Sequence, residues 1–137
     1  GKNMTALFNK LNLKDEEEIF ILNAPASFAG EIDTLHDVEI KRTVDASSVI
    51  QYSLAFAEKK ADLDHYSALV SEKAEGDAVL WFAYPKGSSK KYKSDFNRDT
   101  GWEVLMEAGF KPVRQVSIDE DWSALRFRRI EYVKSGK

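Results

Sequence analysis

Short apolar runs alternate with segments of helical periodicity along most of this chain. The apolar runs cover residues 18–23, 38–44, 51–57 and 78–84. Runs of this length, bounded by turn residues or charges, predict β-strands. Segments in which apolar side chains recur every three or four residues predict α-helices. They cover residues 4–11, 27–35 and 62–75.

The end of the chain has a different pattern. Residues 113–118 and 122–129 are two further strand-like segments, and three acidic residues separate them. Such a pair predicts an antiparallel β-hairpin. The length suits one domain. The whole pattern therefore predicts a single α/β domain over residues 1–137, a three-layer Rossmann-like domain with a mostly parallel sheet and a C-terminal antiparallel β-hairpin.

The run Ala78–Tyr84 is continuous and apolar, and a basic loop follows it. The run carries no charge, which favours a strand covered on both faces, and Pro85 ends it. The loop has one acid, Asp95, and its five basic residues are Lys86, Lys90, Lys91, Lys93 and Arg98.

A helix is predicted directly after this loop. Thr100 and Glu103 have the T-x-x-E spacing of a capping box, and Gly109 marks a helix end. In parallel α/β folds, the carboxyl ends of central strands face helix N-termini, which favour anions. We therefore expect a ligand site there, formed by Lys86, Gly87, Ser88, Ser89, Lys90 and Arg98. Asn23, Glu58 and Lys59 are candidates to join it, and the alternative is a solvated lysine-rich loop.

The segment Lys86–Lys90 is not a nucleoside-triphosphate loop. The pattern G-x-x-x-x-G-K-[ST] requires two glycines, whereas this segment has one glycine with a lysine before it. The backbone amides and hydroxyl groups around Gly87 suit a simpler anion, such as a phosphate, a sulfate or a carboxylate.

The last strand carries a second group of candidate residues. Trp122, Arg126 and Arg128 have the spacing of side chains on one face of an extended strand. Such a face can stack a base or bind an anionic ligand. The alternative is a tryptophan that anchors the hairpin to the core while the arginines reach solvent.

Composition excludes several kinds of protein. The chain has no cysteine, so it has no disulfide, thiolate metal site or thiol nucleophile. The acidic residues 119–121 lack the spacing of a calcium loop, and no metal site is predicted. The net charge of −3 argues against general nucleic-acid binding. With no apolar run long enough for a membrane helix and no signal sequence, we expect a cytoplasmic protein without a membrane partner.

The order of elements in the second half of the chain is similar to the later part of the Rossmann-like methyltransferase fold. The matching segments are Leu54–Ala57, Asp62–Glu75, Gly76-Asp77, Ala78–Tyr84, Ala108-Gly109-Phe110 and Val113–Arg129. The resemblance implies a glycine-rich cofactor loop after the first strand, where this chain has Asn23–Gly30 with one late glycine. It also implies a ribose-binding acid, for which Asp45 is the candidate. Because that loop is missing, no cofactor is predicted.

Three short motifs resemble a family of small bacterial proteins that are known as domains of unknown function. They are K-L-x-L-K at Lys10–Lys14, W-x-x-x-P-K at Trp81–Lys86 and D-W-S-x-x-R at Asp121–Arg126. This resemblance implies a fold and no activity.

Two functions follow from these patterns. The main prediction is a non-catalytic domain that binds an anionic, phosphate-containing ligand or a protein partner. The alternative is a methyltransferase-like enzyme acting on a nucleotide or a phosphorylated substrate. The two differ in whether the ends of the strands enclose a concave pocket with chemically active groups.

Overall fold

The computed structural model describes residues 5–133, which form one six-stranded sheet in the order β2-β1-β3-β4-β6-β5. The strands are β1 Glu18–Leu22, β2 Glu39–Lys41, β3 Ile50–Phe56, β4 Ala74–Pro85, β5 Phe110–Ser117 and β6 Trp122–Arg129. Neighbouring strands among β1 to β4 are parallel, whereas β6 is antiparallel to both β4 and β5. The predicted fold class is therefore confirmed.

Helices cover both faces of this sheet. They are α1 Ala6–Lys10, α2 Ala29–Asp33, α3 Lys60–Lys73 and α4 Glu103–Glu107, and a 3₁₀ turn at Ala26–Phe28 precedes α2. The helix predicted over residues 4–11 corresponds to α1, although Met4 lies outside the described residues. None of the helices within residues 5–133 is long and apolar enough to cross a membrane.

The apolar side chains form two cores because successive strand residues point to opposite faces. On the side covered by α3 and α4, which we call the α3 side, Leu63 and Leu105 pack in one cluster with Phe82 of β4. On the opposite side, the α1 side, Phe8 of α1 packs in a second cluster with Trp81 of β4. The central strand is buried on both faces, as its continuous apolar run predicts.

The start of β4 differs from the prediction. The apolar run predicts a strand that starts at Ala78, but β4 begins at Ala74 and includes Gly76 and Asp77. Ile50 of β3 pairs with Ala74 and Tyr52 pairs with Val79, so β4 holds extra residues in a bulge. Gly76 has φ +59°, a value that glycine adopts without strain, and this allows the strand to bulge rather than end.

The helix expected after the basic loop is also shorter than predicted. It covers only Glu103–Glu107, and its N-cap is Trp102 without a side-chain cap. The predicted capping box is therefore wrong. Gly101, between the two residues of the motif, has φ +100°, and a Cβ there would lie 2.9 Å from the Phe96 Cβ. This left-handed residue separates Thr100 from the helix.

The strands β2 and β5 form the two edges of the sheet. β2 forms one edge with three residues, fewer than the predicted run 38–44. β5 forms the other edge, and its pairing with β6 shifts register between Pro112 and Arg114. The turn Asp119–Asp121 joins β5 to β6, as predicted for a hairpin.

Candidate functional site

A cleft of about 630 Å³ lies on the α3 side, at the carboxyl end of β4. We call it the β4 cleft. The basic loop forms one wall and the β5–β6 hairpin forms the other, since Gln115 of β5 and Ser123 of β6 also line it. The cleft exists because β6 runs antiparallel beside β4: Tyr84 pairs with Ser123, so the start of β6 lies next to the end of β4.

The charged residues that line the β4 cleft are all basic, and one of them, Arg98, also lies near the Asp99 carboxylate, with its Nε 3.6 Å from the Asp99 Oδ1. Lys86, Lys93 and Arg98 line the cleft, and none of the residues described as lining it is acidic. The Lys86 Nζ donates to the Ser117 Oγ at 2.7 Å, which orients its ammonium group along the hairpin wall. A cavity with several cations and no carboxylate favours an anion.

A buried tyrosine forms part of the cleft lining. Tyr84 is 4% exposed, and its ring packs against Phe96 and Trp102 at centroid distances of 6.1 and 5.7 Å. The Gln115 Nε2 donates to the Tyr84 Oη at 3.0 Å, and the Arg98 Nη1 donates to the Gln115 Oε1 at 3.1 Å. Burial raises the pKa of the Tyr84 phenol, so Tyr84 keeps its proton at neutral pH.

The middle of the basic loop is fixed to the start of α3. The Lys59 Nζ donates to the Lys93 carbonyl oxygen at 2.6 Å, and the Lys93 amide donates to the Glu58 Oε2 at 3.3 Å. The Lys60 amide donates to the Asp95 Oδ1 at 2.6 Å. Glu58 and Lys59 therefore hold the loop in place and are not among the residues described as lining the cleft.

The structure brings most of the predicted loop residues together. Lys86, Gly87, Ser88, Ser89 and Arg98 all line the β4 cleft. The Ser89 Oγ donates to the Asp121 Oδ1 at 2.8 Å and accepts the amides of Lys91 and Tyr92, so this hydroxyl group shapes the loop.

Lys90 is exposed and is not among the residues that line the cleft. The expected helix N-terminus is absent from the cleft as well, because α4 begins only at Glu103.

Trp122 and Arg126 do not join the cleft. Trp122 is 4% exposed, and its ring packs against Phe56 and Tyr92 at 5.2 and 4.9 Å. Arg126 is half-buried, and its Nη1 lies 3.5 Å from the Asn12 Oδ1. Both side chains point to the α1 side, whereas Ser123 between them points to the cleft. Their role in ligand binding stays a prediction.

Arg128 has a partner within the protein. Its guanidinium donates two hydrogen bonds to the Asp77 carboxylate. This ion pair joins β6 to the bulged start of β4. Arg128 is therefore engaged with Asp77 at the amino end of β4, far along the strand from the cleft.

Sequence reasoning missed Tyr84, Gln115 and Lys93 as cleft residues. In the sequence, Tyr84 is the last residue of the apolar run before Pro85. Gln115 reaches the cleft because the hairpin register places it opposite Leu125, whose side chain is on the α3 side, and that register has no local signal. The basic composition of the loop was the one available signal, and it included Lys93.

The carboxyl ends of β1 and β3 form a second place where ligands bind in such folds, because the chain reverses its direction of progress through the sheet there. Asn23 follows β1 with φ +59°. Its Nδ2 donates to the Phe56 carbonyl oxygen at 2.9 Å and so connects the two strand ends. Pro25 follows, and it has no amide hydrogen to offer a ligand.

Asp45 lies at the other end of the sheet. Its Oδ1 accepts the Ser47 Oγ at 2.8 Å, and this hydroxyl group lowers the pKa of the Asp45 carboxyl. The neighbouring Ala46 carbonyl oxygen accepts the Lys73 Nζ at 2.9 Å. Lys73 ends α3 directly before β4 begins, so this turn lies at the amino ends of the strands.

No family model matches the sequence, and the search of curated proteins found no match. Solved structures do match. The pyocyanin biosynthetic protein PhzM is 12% identical, with a TM-score of 0.56 over 90% of this chain. The mitomycin 7-O-methyltransferase MmcR is 8% identical, with a TM-score of 0.61 over 90%. This chain spans 54% of PhzM and 52% of MmcR, about half of each.

The glycopeptide N-methyltransferase MtfA, solved with S-adenosylmethionine, is 9% identical with a TM-score of 0.57, and the match covers 90% of this chain and 85% of MtfA. The chain therefore has the Rossmann-like fold of S-adenosylmethionine-dependent methyltransferases. These matches overturn the main prediction of a non-catalytic binding domain, because the proteins that share the fold are enzymes. They favour the alternative, a methyltransferase-like enzyme.

The residues present do not fit S-adenosylmethionine in the manner that the resemblance implies. Asp45 is at the wrong end of the sheet to bind a ribose, and β2 ends at Lys41 with Arg42 after it, so basic side chains stand where an acid is expected. The Asn23 amide group already bonds to Phe56.

Proposed function

We propose that the protein is a methyltransferase-like enzyme that acts on a nucleotide or another phosphorylated substrate, bound in the β4 cleft. The observation that carries the proposal is the set of three cationic side chains, Lys86, Lys93 and Arg98, without an acid among the described lining residues. They lie at the carboxyl end of a central strand, where ligands bind in open α/β sheets. The volume of about 630 Å³ is that of a small-molecule site.

The chain's own residues bind and orient the substrate. Lys86 and Lys93 supply point charges, and Arg98 supplies a planar donor that suits phosphate oxygens. Gly87 and Ser88 are exposed at the cleft, so their backbone amides can approach an oxyanion. Phe96 and Tyr92 give the same cavity an apolar component that suits a base or a ribose.

The three short motifs support the finer proposal that the chain belongs to the family of small bacterial proteins. The Trp81 Nε1 donates to the Leu11 carbonyl oxygen at 2.8 Å, which joins the first motif to the second. Trp81 pairs with Arg126, and the Lys86 amide donates to the Asp121 carbonyl oxygen at 2.8 Å, which joins the second to the third. The motifs therefore form one structural unit beside the cleft.

The substrate class is tested by calorimetric titration with adenosine monophosphate and with pyrophosphate. Replacing both Lys86 and Arg98 by alanine should weaken binding at least about tenfold, since hydrogen bonds to charged groups contribute about 1.5–3 kcal/mol each. The matched control is Lys90→Ala with Lys91→Ala. It removes the same charge from the same loop outside the cleft, and it should change affinity less than about threefold because screened surface charges contribute little.

Enzymatic activity is tested separately, by incubating a panel of phosphorylated compounds with the protein alone and with S-adenosylmethionine labelled on the methyl group. Conversion of a compound, with or without transfer of label, that disappears in the Lys86→Ala, Arg98→Ala variant would support the proposal. Binding of a phosphorylated compound without turnover would contradict the enzymatic part alone. Equal affinities of the cleft variant and its control would contradict the site.

A further inference from the structure

The hydrogen-bond chain Arg98–Gln115–Tyr84 has a fixed direction. A guanidinium can only donate, so the atom of Gln115 that faces Arg98 at 3.1 Å must be its carbonyl oxygen. The amide nitrogen of Gln115 then faces Tyr84, and it donates to the Tyr84 Oη at 3.0 Å. Tyr84 is therefore the acceptor in this contact.

The Tyr84 hydroxyl group still has its own hydrogen to donate. Within residues 5–133, the contact with Gln115 is the one hydrogen bond that this hydroxyl group makes, and no oxygen of the protein accepts its hydrogen. Tyr84 is 4% exposed and lines the β4 cleft. Because the hydroxyl group lies at the cleft, the acceptor for its hydrogen comes from outside the described chain, either water or a bound ligand.

We propose that Tyr84 donates a hydrogen bond to an unprotonated oxygen of the bound substrate, and that Gln115 and Arg98 are the positioning residues that set the direction of this bond. The inference rests on the proposed function and names the group of the substrate that is recognised. A phosphate oxygen satisfies the donor and is also neutralised by Lys86 and Lys93. An ammonium or amide hydrogen at the same position would face the Tyr84 hydrogen and be excluded. Because burial keeps the phenol protonated, the donor is available throughout the neutral range.

The first test is Tyr84→Phe, measured by calorimetric titration with adenosine monophosphate. The ring and its packing are kept and the donor is removed, so the dissociation constant should rise about tenfold. Tyr66→Phe, on α3 and outside the residues described for the cleft, is the matched control and should bind as the wild type does. Wild-type affinity in Tyr84→Phe would overturn the proposal.

The second test reverses the direction of the chain. In Gln115→Glu both oxygens accept, so the carboxylate should take the Tyr84 hydrogen and turn it away from the cleft. Affinity should fall, and adding Tyr84→Phe to this variant should then change the dissociation constant less than about twofold. If residue 115 acts only through packing or charge, Tyr84→Phe should still raise the dissociation constant about tenfold in the Gln115→Glu background. That result would overturn the assigned direction of the hydrogen bond between Gln115 and Tyr84. Gln51→Glu, at the amino end of the sheet, controls for the added charge.

Two different results separate the role of the Tyr84 donor from that of the cleft as a phosphate site. If the wild type binds adenosine monophosphate and Tyr84→Phe binds equally well, the cleft remains a phosphate site without this donor. If the wild type binds neither adenosine monophosphate nor pyrophosphate, both proposals fall together.

Discussion

The Leu11 carbonyl oxygen, directly after α1, accepts two hydrogen bonds from the centre of the sheet. The Tyr52 Oη of β3 and the Trp81 Nε1 of β4 each donate to it at 2.8 Å. All three residues are fully buried. Since an apolar interior strengthens such bonds and penalises their loss, this small network fixes the N-terminal helix to two adjacent strands.

Removing the second of the two donors should destabilise the protein more than removing the first. Tyr52→Phe alone should lower the free energy of unfolding by about 1 kcal/mol, because Trp81 still satisfies the Leu11 carbonyl. In a Trp81→Phe background, the same change leaves that carbonyl without a donor and should lower it by about 1–3 kcal/mol more. Urea denaturation of the two single variants and the double variant measures the difference. Strict additivity would show that the network does not act as a unit.

At the scale of elements, the N-terminus of α3 is capped by a residue that is distant in the sequence. The sequence predicts a helix over residues 62–75, but α3 begins at Lys60, and the acceptor for the Lys60 amide is Asp95 in the basic loop. The anion that this helix terminus attracts is thus a residue of the protein itself. One contact stabilises the helix and also positions the loop that carries Lys93 and Arg98.

Asp95→Ala should therefore affect two properties. The free energy of unfolding should fall by about 1 kcal/mol, as for the loss of an N-cap, and the affinity for adenosine monophosphate should fall because the loop is released. Asp95→Asn keeps an acceptor oxygen and should retain most of both. Hydrogen exchange of the Lys60 amide reports the cap directly. Unchanged exchange in Asp95→Ala would show that the Lys60 amide has another acceptor.

The elements that the sequence predicted well are those whose signal is local. The apolar run before Pro85 defines the core of β4, and the spacing of Leu63 and Val70 defines α3. The failures involve distant partners. Gly76-Asp77 has the composition of a turn, but pairing with β3 keeps it within a bulged strand. For the same reason the loop cations of the cleft were predictable, and the contact between Gln115 and Tyr84 was not.

At the scale of the whole molecule, the two ends of the sheet carry opposite charge. The carboxyl end holds the basic β4 cleft, whereas the amino end holds a cavity of about 420 Å³ lined by Asp15, Glu16, Glu17 and Glu18. The net charge of −3 conceals this separation. The net negative charge of the molecule repels a small anion, whereas the basic cleft at one end of the sheet attracts it. Salt screens the long-range repulsion more strongly than the attraction at close contact.

The dissociation constant for adenosine monophosphate should rise about threefold or more between about 20 and 200 mM sodium chloride, because the close contacts with Lys86 and Arg98 dominate. Adenosine, which lacks the phosphate, should show little salt dependence. A dissociation constant that falls as salt is added would mean that repulsion by the acidic end outweighs the cleft, and would contradict its assignment as the phosphate site.

The irregular outer strand of the hairpin affects how readily another strand can pair with the sheet. Within residues 5–133 no strand pairs with the outer side of β5, and a regular edge is a template on which a second copy can add a strand and start an aggregate. Pro112 removes one backbone donor from β5, the register shift beside Arg114 distorts the strand, and Lys111 and Arg114 place like charges along it. At the other edge, β2 offers three residues, too few for stable pairing. Both borders of the sheet formed by residues 5–133 are therefore poor templates for the addition of another strand.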